Sequence, residues 1–289
     1  MSKQIQKYSE PKIKEWLVKK EPDIRLTAIK KYDSNELINS ALMSISESDK
    51  LKECLDSEVG AHSLVNALRY ATNVGLSLNP QEGKAALVPY NKKVGNDWFA
   101  TAAYQIQKNG LIELALRSGR VEEMPPPEVI CDNDEFQIER TSKGDSFVFR
   151  PALKERGDAI GYMACVVLKT GKQYVKYMTK EQMLEHREKY ASMYKDRNGK
   201  ELSGAAWVKS FDGMALKTVV KALLNNLHLS AEIDRAIGAE NEILVVEGPA
   251  EIVPPTGAQE IAQEMDDDGD PGPEPPIDVD RQQKMGDIV

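Results

Sequence analysis

Apolar residues recur with helical spacing through the first quarter of the chain, alternate with period two through the middle, and return to helical spacing near residue 205. After Asp33, with Glu36 three residues on, Leu37, Ile38, Ala41, Leu42 and Ile45 fall on one helical face. A second amphipathic stretch covers Ser57–Asn73, with Val59, Leu64, Leu68 and Ala71 inward and Gly75 as a left-handed stop. Past Asn79-Pro80 the period becomes that of a strand. Lys84–Tyr90 and Trp98–Ala103 flank a Lys92–Asp97 turn containing Gly95-Asn96, the pattern of a hairpin. Gln105–Arg117 reads as a short helix ended by Gly119.

A Pro125-Pro126-Pro127 run separates that helix from further strands at Glu128–Cys131, Phe136–Arg140, Phe147–Arg150, Ile160–Leu168 and Gln173–Met178. Lys143-Gly144-Asp145 and Thr170-Gly171-Lys172 supply turns. Thr179 with Gln182 makes a capping box for a helix over Lys180–Tyr190. One long helix is expected from Ala205 to Leu227, packing Val208, Ala215, Leu216, Val219, Val220, Leu223 and Leu227 inward. The pattern predicts an α+β body: a bent antiparallel sheet with a β-hairpin, backed by helices.

Two end segments differ in kind. Residues 1–32 are polar and lysine-rich with one apolar burst at Ile13–Val18, expected to form a loosely held arm or a surface helix. Residues 239–289 are rich in Pro, Gly and acid and lack the apolar surface to offset ordering, so a disordered tail is expected beyond a core of 33–238. Charge sharpens this division. The tail carries 14 acidic and two basic residues, a net of −12; this leaves 36 basic and 32 acidic residues in 1–238, a net of +4. A basic body with an acidic tail fits a nucleic-acid partner and equally fits an ordinary globular domain with a solubilising end.

Catalytic signatures are sparse. Gly75 lies eight residues before Gly83-Lys84, and Ala85 follows the lysine, so a phosphate-binding GxxxxGK[ST] loop fails on spacing and on its magnesium-binding hydroxyl. His62, His186 and His228 are scattered over separate segments. Cys54, Cys131 and Cys165 show no CxxC spacing and read as buried thiols of a reducing compartment. With no apolar leader and no 18-residue apolar run, a cytoplasmic protein without a membrane segment is expected. The acids Asp132, Asp134 and Glu135 offer the one magnesium-nuclease reading, against the plainer reading of an Asp-Asn-Asp turn tolerant of left-handed backbone.

Backbone-gripping residues are plentiful by contrast. Lys209, Gly213, Lys217, Lys221 and Asn225 recur every four residues on the expected long helix, in one slowly drifting stripe. Unpaired lysines at that spacing repel, a cost that makes sense under a polyanion, although a solvated stripe needs no ligand at all. Gly213 within a helix costs about 1 kcal/mol and points to a close approach. Gln105, Gln107, Lys108, Asn109, Arg117 and Arg120 group amides with cations, which suits sugar-phosphate contacts. Lys84, Lys92 and Lys93 lie on or beside the hairpin; of Trp98 and Phe99, one faces out, toward a base or a neighbouring subunit. At 6% aromatics, a site built mainly on stacking is disfavoured.

The strings Val74-Gly-Leu-Ser-Leu-Asn-Pro80, Ala86-Leu-Val-Pro-Tyr-Asn91, Tyr104-Gln-Ile-Gln-Lys-Asn-Gly-Leu-Ile-Glu-Leu-Ala-Leu-Arg-Ser-Gly119 and Met214-Ala-Leu-Lys-Thr-Val-Val-Lys221 resemble the RecT branch of phage recombinases over about residues 35–235. The resemblance implies an ATP-independent single-strand annealing protein without an active site or cofactor. It would be oligomeric as rings or helical filaments, bind single-stranded and annealed duplex DNA, and work beside a phage exonuclease. It also implies a long helix lining a DNA groove. Lys217 and Lys221 would be phosphate contacts, Tyr104, Gln105, Lys108 and Asn109 would face the groove, and Arg117 would serve DNA or a neighbouring subunit. A magnesium-dependent nuclease and a passive single-strand coat remain the rival readings.

Overall fold

The computed structural model describes residues 9–25, 34–191, 194–195, 199–231 and 233–238; the expected disordered tail at 239–289 lies outside them. The first helix, α1 (Glu10–Arg25), buries Ile13, Leu17 and Ile24 to within 2% exposure, so this part of the expected arm belongs to the core. It packs on α2 (Ser34–Ser46) and on α4 (Glu58–Val74), where Arg69 Nε donates to the Asp23 carbonyl at 2.9 Å. Between α2 and α4 come α3 (Asp49–Glu53) and a single 3-10 turn at Cys54–Asp56. The predicted stops of α4 hold: the Ser57 side chain accepts from Gly60 N, and Gly75 closes the helix at φ 63°.

Strands β1 (Ala85–Val94) and β2 (Asp97–Ile106) form a regular antiparallel hairpin around Gly95-Asn96, running closer to the turn than the sequence suggested and, on β2, three residues past Ala103. Its middle rests on α4. A Cβ at Gly60 would meet the Ala100 carbonyl oxygen at 2.6 Å, so only glycine lets helix and strand approach this closely. Ser63 Oγ accepts from Ala102 N at 2.9 Å on the same contact.

Helix α5 (Lys108–Arg117) leads into β3 (Val121–Glu123) and β4 (Glu128–Cys131). Both pair with one edge of β7 (Ala159–Leu168), β4 at its start and β3 at its end, and β8 (Gln173–Thr179) runs along the other edge. The hairpin of β5 (Glu135–Thr141) and β6 (Gly144–Arg150) lays Phe136, Ile138, Phe147 and Phe149 over a small second core of Ile130, Met163, Cys165 and Val175. The α+β class is as expected, but among the described residues the strands divide into three antiparallel units rather than one bent sheet.

Helix α6 (Lys180–Tyr190) starts at the predicted capping box, with Thr179 and Gln182 satisfying each other's backbone N–H. The expected long helix is two: α7 (Ala206–Lys209) and α8 (Phe211–Asn225), broken at Ser210 with φ −149° and ψ 74°. Helix α8 buries Ala215, Val219, Val220, Leu223 and Leu224, and it packs on β7, β8 and α5. Among the described residues, no helix is long and apolar enough to cross a membrane.

Candidate nucleic-acid interface

The basic residues read from the sequence fall in three places. The far end of the hairpin carries Lys92 and Lys93, in register with Phe99 and Trp98. Trp98 is 60% exposed while Phe99 is half-buried, the alternation that adjacent strand positions impose. Neither lysine makes an ion pair among the described residues.

The base of the hairpin is different. Lys84 Nζ sits 2.8 Å from Glu82 Oε2 and 3.0 Å from Glu113 Oε2. Glu113 also pairs with Arg117, one helical turn on. Arg117 continues to the C-terminal end of α4, where Nη1 donates to the Val74 carbonyl at 3.1 Å and Nη2 to the Gly75 carbonyl at 2.6 Å. A cation there meets the negative end of the helix and two carbonyls with no partner inside it. Asn109 Nδ2 donates to the Glu82 carbonyl at 3.1 Å, and Ser77 Oγ to Glu82 Oε1 at 2.9 Å. Hydrogen bonds from Lys84 and Ser77 hold Glu82 below the usual carboxylate range, and the two carboxylates raise Lys84. Burial pushes Glu113 up, but Lys84 and Arg117 outweigh it and its carboxyl ends lower than usual.

Tyr104 corrects the sequence reading. It is 4% exposed and faces the core with Ala102 and Ile106, because residues 104–106 continue β2 instead of opening α5. Its neighbour Gln105 takes the outer face, with Nε2 donating to the Tyr90 hydroxyl on β1. Lys108 then begins α5, half-buried.

The third place is α8, where Lys217, Lys221 and Asn225 keep their four-residue spacing, the lysines half-buried and Asn225 exposed. Lys209 is not on their stripe, since it ends α7 across the break. Tertiary contacts accompany that break: the Tyr162 hydroxyl donates to Asp212 Oδ1 at 2.6 Å, and the Phe211 ring lies 5.5 Å from Trp207 and 6.1 Å from Tyr162. A Cβ at Gly213 would stand 2.6 Å from Ser210 Oγ, a hydroxyl that can turn aside. Beside α8, His186 on α6 is held below its ordinary pKa by burial and then by the charge of Lys221.

The acid turn serves the fold. Asp134 accepts from Cys131 N at 2.8 Å, Ala152 N at 2.9 Å, and Arg156 through Nε at 3.0 Å and Nη2 at 2.6 Å. The Arg156 guanidinium and these backbone donors outweigh burial and hold the Asp134 carboxyl far below its usual range. Glu135 pairs with Arg150 at 2.8 Å. The left-handed residues here are Glu155 (φ 47°) and Gly157 (φ 78°) in the facing loop, not members of Asp132-Asn133-Asp134.

Sequence reasoning missed the acids of the hairpin base. Glu113 and Arg117 were visible as an i, i+4 pair, but Glu82 and the α4 carbonyls join only through the fold.

The RecT family model matches residues 35–254, past the expected core limit at 238. The chain is 27% identical to Protein RecT of Escherichia coli (strain K12) over 199 residues, which is 69% of this chain and 70% of that protein. It is equally 27% identical, over 205 residues, to Uncharacterized protein YqaK of Bacillus subtilis (strain 168), covering 70% of this chain and 63% of that one. With the family model spanning most of its length, the chain belongs to the RecT family, whose general role is DNA binding and strand annealing in recombination.

Proposed function

We propose that this protein anneals complementary single strands of DNA without nucleotide hydrolysis, gripping the strands through their backbones and polymerising along them. The observation that carries this reading is the family match over 35–254. In support stand the lysines of α8, one turn apart beside Asn225, and the cations of the hairpin tip. In this reading Lys92, Lys93, Lys108, Lys209, Lys217 and Lys221 meet phosphates, and Gln105 and Asn225 meet sugar or phosphate oxygens.

The task explains the chemistry. An annealing protein must neutralise two polyanions without occupying the base edges through which they recognise each other. Residues 1–238 net only +4, too little to neutralise a long strand from one copy. Copies arrayed along DNA add their weak sites together, so affinity and length of tract rise in step. A phage exonuclease that exposes single strands is the partner whose product this reaction consumes.

The test is fluorescence-quench annealing of two complementary oligonucleotides, with nucleotide omitted and magnesium varied. Acceleration over the spontaneous rate without cleavage supports the reading. Binding without acceleration would make the protein a coat. Magnesium-dependent cleavage lost in an Asp134→Ala variant that keeps its fold would make it a nuclease.

A further inference from the structure

We infer that Glu113 is a positioning residue: with Lys84 and Arg117 it clasps the base of the β1–β2 hairpin to α4 and α5, fixing the direction in which the tip meets DNA. The inference rests on the annealing reading, and it reassigns two residues, Lys84 and Arg117, whose type and motif suggested contact with DNA.

The geometry argues for it from several sides. One carboxylate, Glu113, bridges the residue that starts the hairpin and the residue that caps α4. The Gln107 N–H donates to the Lys84 carbonyl at 2.8 Å, closing the hairpin base beneath the ion pairs. A Cβ at Gly110 would stand 2.1 Å from that same carbonyl, so α5 lies directly on the strand. From Lys84 to Lys93 the strand runs about 30 Å, at ~3.4 Å per residue. The hairpin also packs on α4 at Ala100 and Ala102, so the clasp at its base and that contact together set the angle at which the tip projects. The clasp side chains are about one-third exposed, so the bridge can be altered without emptying the core.

Two accounts of Lys84 make opposite predictions for one substitution. If Lys84 and Arg117 contact phosphates, Glu113 competes for them, and Glu113→Gln removes a competing carboxylate from both and tightens DNA binding. If they position the hairpin, Glu113→Gln loosens it and weakens binding.

The experiment compares the wild type with E113Q, K84M, the double variant and K84R, binding a fluorescent single-stranded oligonucleotide across a salt series. We expect E113Q and K84M each to weaken binding roughly fivefold, the scale of a partly exposed ion pair. The double variant should be no worse than either alone, because both break one unit. K84R, which keeps the charge, should bind like the wild type. The slope of log affinity against log salt should not change in any of them. Tighter binding by E113Q, or a slope shallower by about 0.7 in K84M, would overturn the inference, since that slope counts a lost phosphate contact.

A DNA-free measurement separates this from failure of the annealing reading. The three native cysteines are buried, so a dye on Asn96→Cys reports the hairpin tip. Its anisotropy should fall in E113Q and K84M and recover in K84R. Unchanged anisotropy would overturn the clasp even if DNA binds as expected. A wild type that neither binds nor anneals DNA would sink the annealing reading while leaving the clasp to stand or fall on the dye.

Discussion

The two ends of the β1–β2 hairpin carry the same kinds of residue in opposite circumstances. At the base, Lys84 is held between two carboxylates, Arg117 is spent on the end of α4, and Tyr104 is buried. At the tip, Lys92 and Lys93 have no ion-pair partner among the described residues, and Trp98 projects into solvent. A cation neutralised by its own chain contributes geometry; one with no acid nearby contributes charge to whatever approaches. Residue type does not separate the two roles, and the position of the nearest carboxylate does.

The comparison extends most decisively to α8, whose lysines the proposed function places on phosphates. Lys217→Glu with Lys221→Glu should lower single-strand affinity about a hundredfold, two phosphate contacts being reversed, with a melting temperature near that of the wild type. A large fall in melting temperature would give these lysines a structural part in place of a DNA contact. Next, Gly110→Ala should destabilise the fold by about 2 kcal/mol, because the added methyl collides with the Lys84 carbonyl. A denaturant midpoint equal to that of the wild type would contradict the close packing on which the base depends.

Smaller effects separate tip from base directly. Lys92→Glu with Lys93→Glu should cost roughly tenfold in affinity and flatten the salt slope while leaving thermal stability alone. An unchanged slope would place the tip outside the DNA contact.

The base should also answer to pH. Glu82 and Glu113 have folded-state values lowered from 4.5, so their stabilisation is present above that pH and lost as pH falls through the depressed values. Lys84 is raised from 10.5, so its share is complete below that pH and lost as pH rises through the raised value. The dye at the tip should therefore report a constant anisotropy between about pH 5 and 10 and a fall on the acid side. A change centred near neutrality would indicate a different network. Smallest of all, removing residues 255–289, which lie beyond the family match, should alter the annealing rate less than twofold. A larger loss would give the acidic end a direct part in annealing.

Much of the fold was legible because its signals are local. Ser57 and Gly75 bound α4, Thr179 and Gln182 open α6, and Gly95-Asn96 turns the hairpin, each through atoms within a few residues. What escaped was set from far away. The break at Ser210 accompanies the contact between Asp212 and Tyr162, fifty residues apart, while the local pattern reads as one continuous helix. Burial of α1 rests on Ile13, Leu17 and Ile24 set among lysines and interrupted by Pro22, a stripe too sparse to distinguish from a solvated helix. The three-residue strand β3 is too short to show a period.

The candidate site divides in the same way. The spacing of Lys217, Lys221 and Asn225 was readable from helical period alone. The engagement of Lys84, Asn109 and Arg117 was not, because Glu82 and the α4 carbonyls reach them only through the folded chain.

The central claim is a grip on backbones that leaves bases free to pair, and strand retention tests it most directly. The protein is loaded with one labelled strand, given either its complement or an unrelated strand of equal length, and challenged with excess competitor DNA. The account predicts that the complementary pair is held far longer, because two annealed backbones would meet the proposed phosphate contacts together. Equal retention of complementary and unrelated pairs would contradict it.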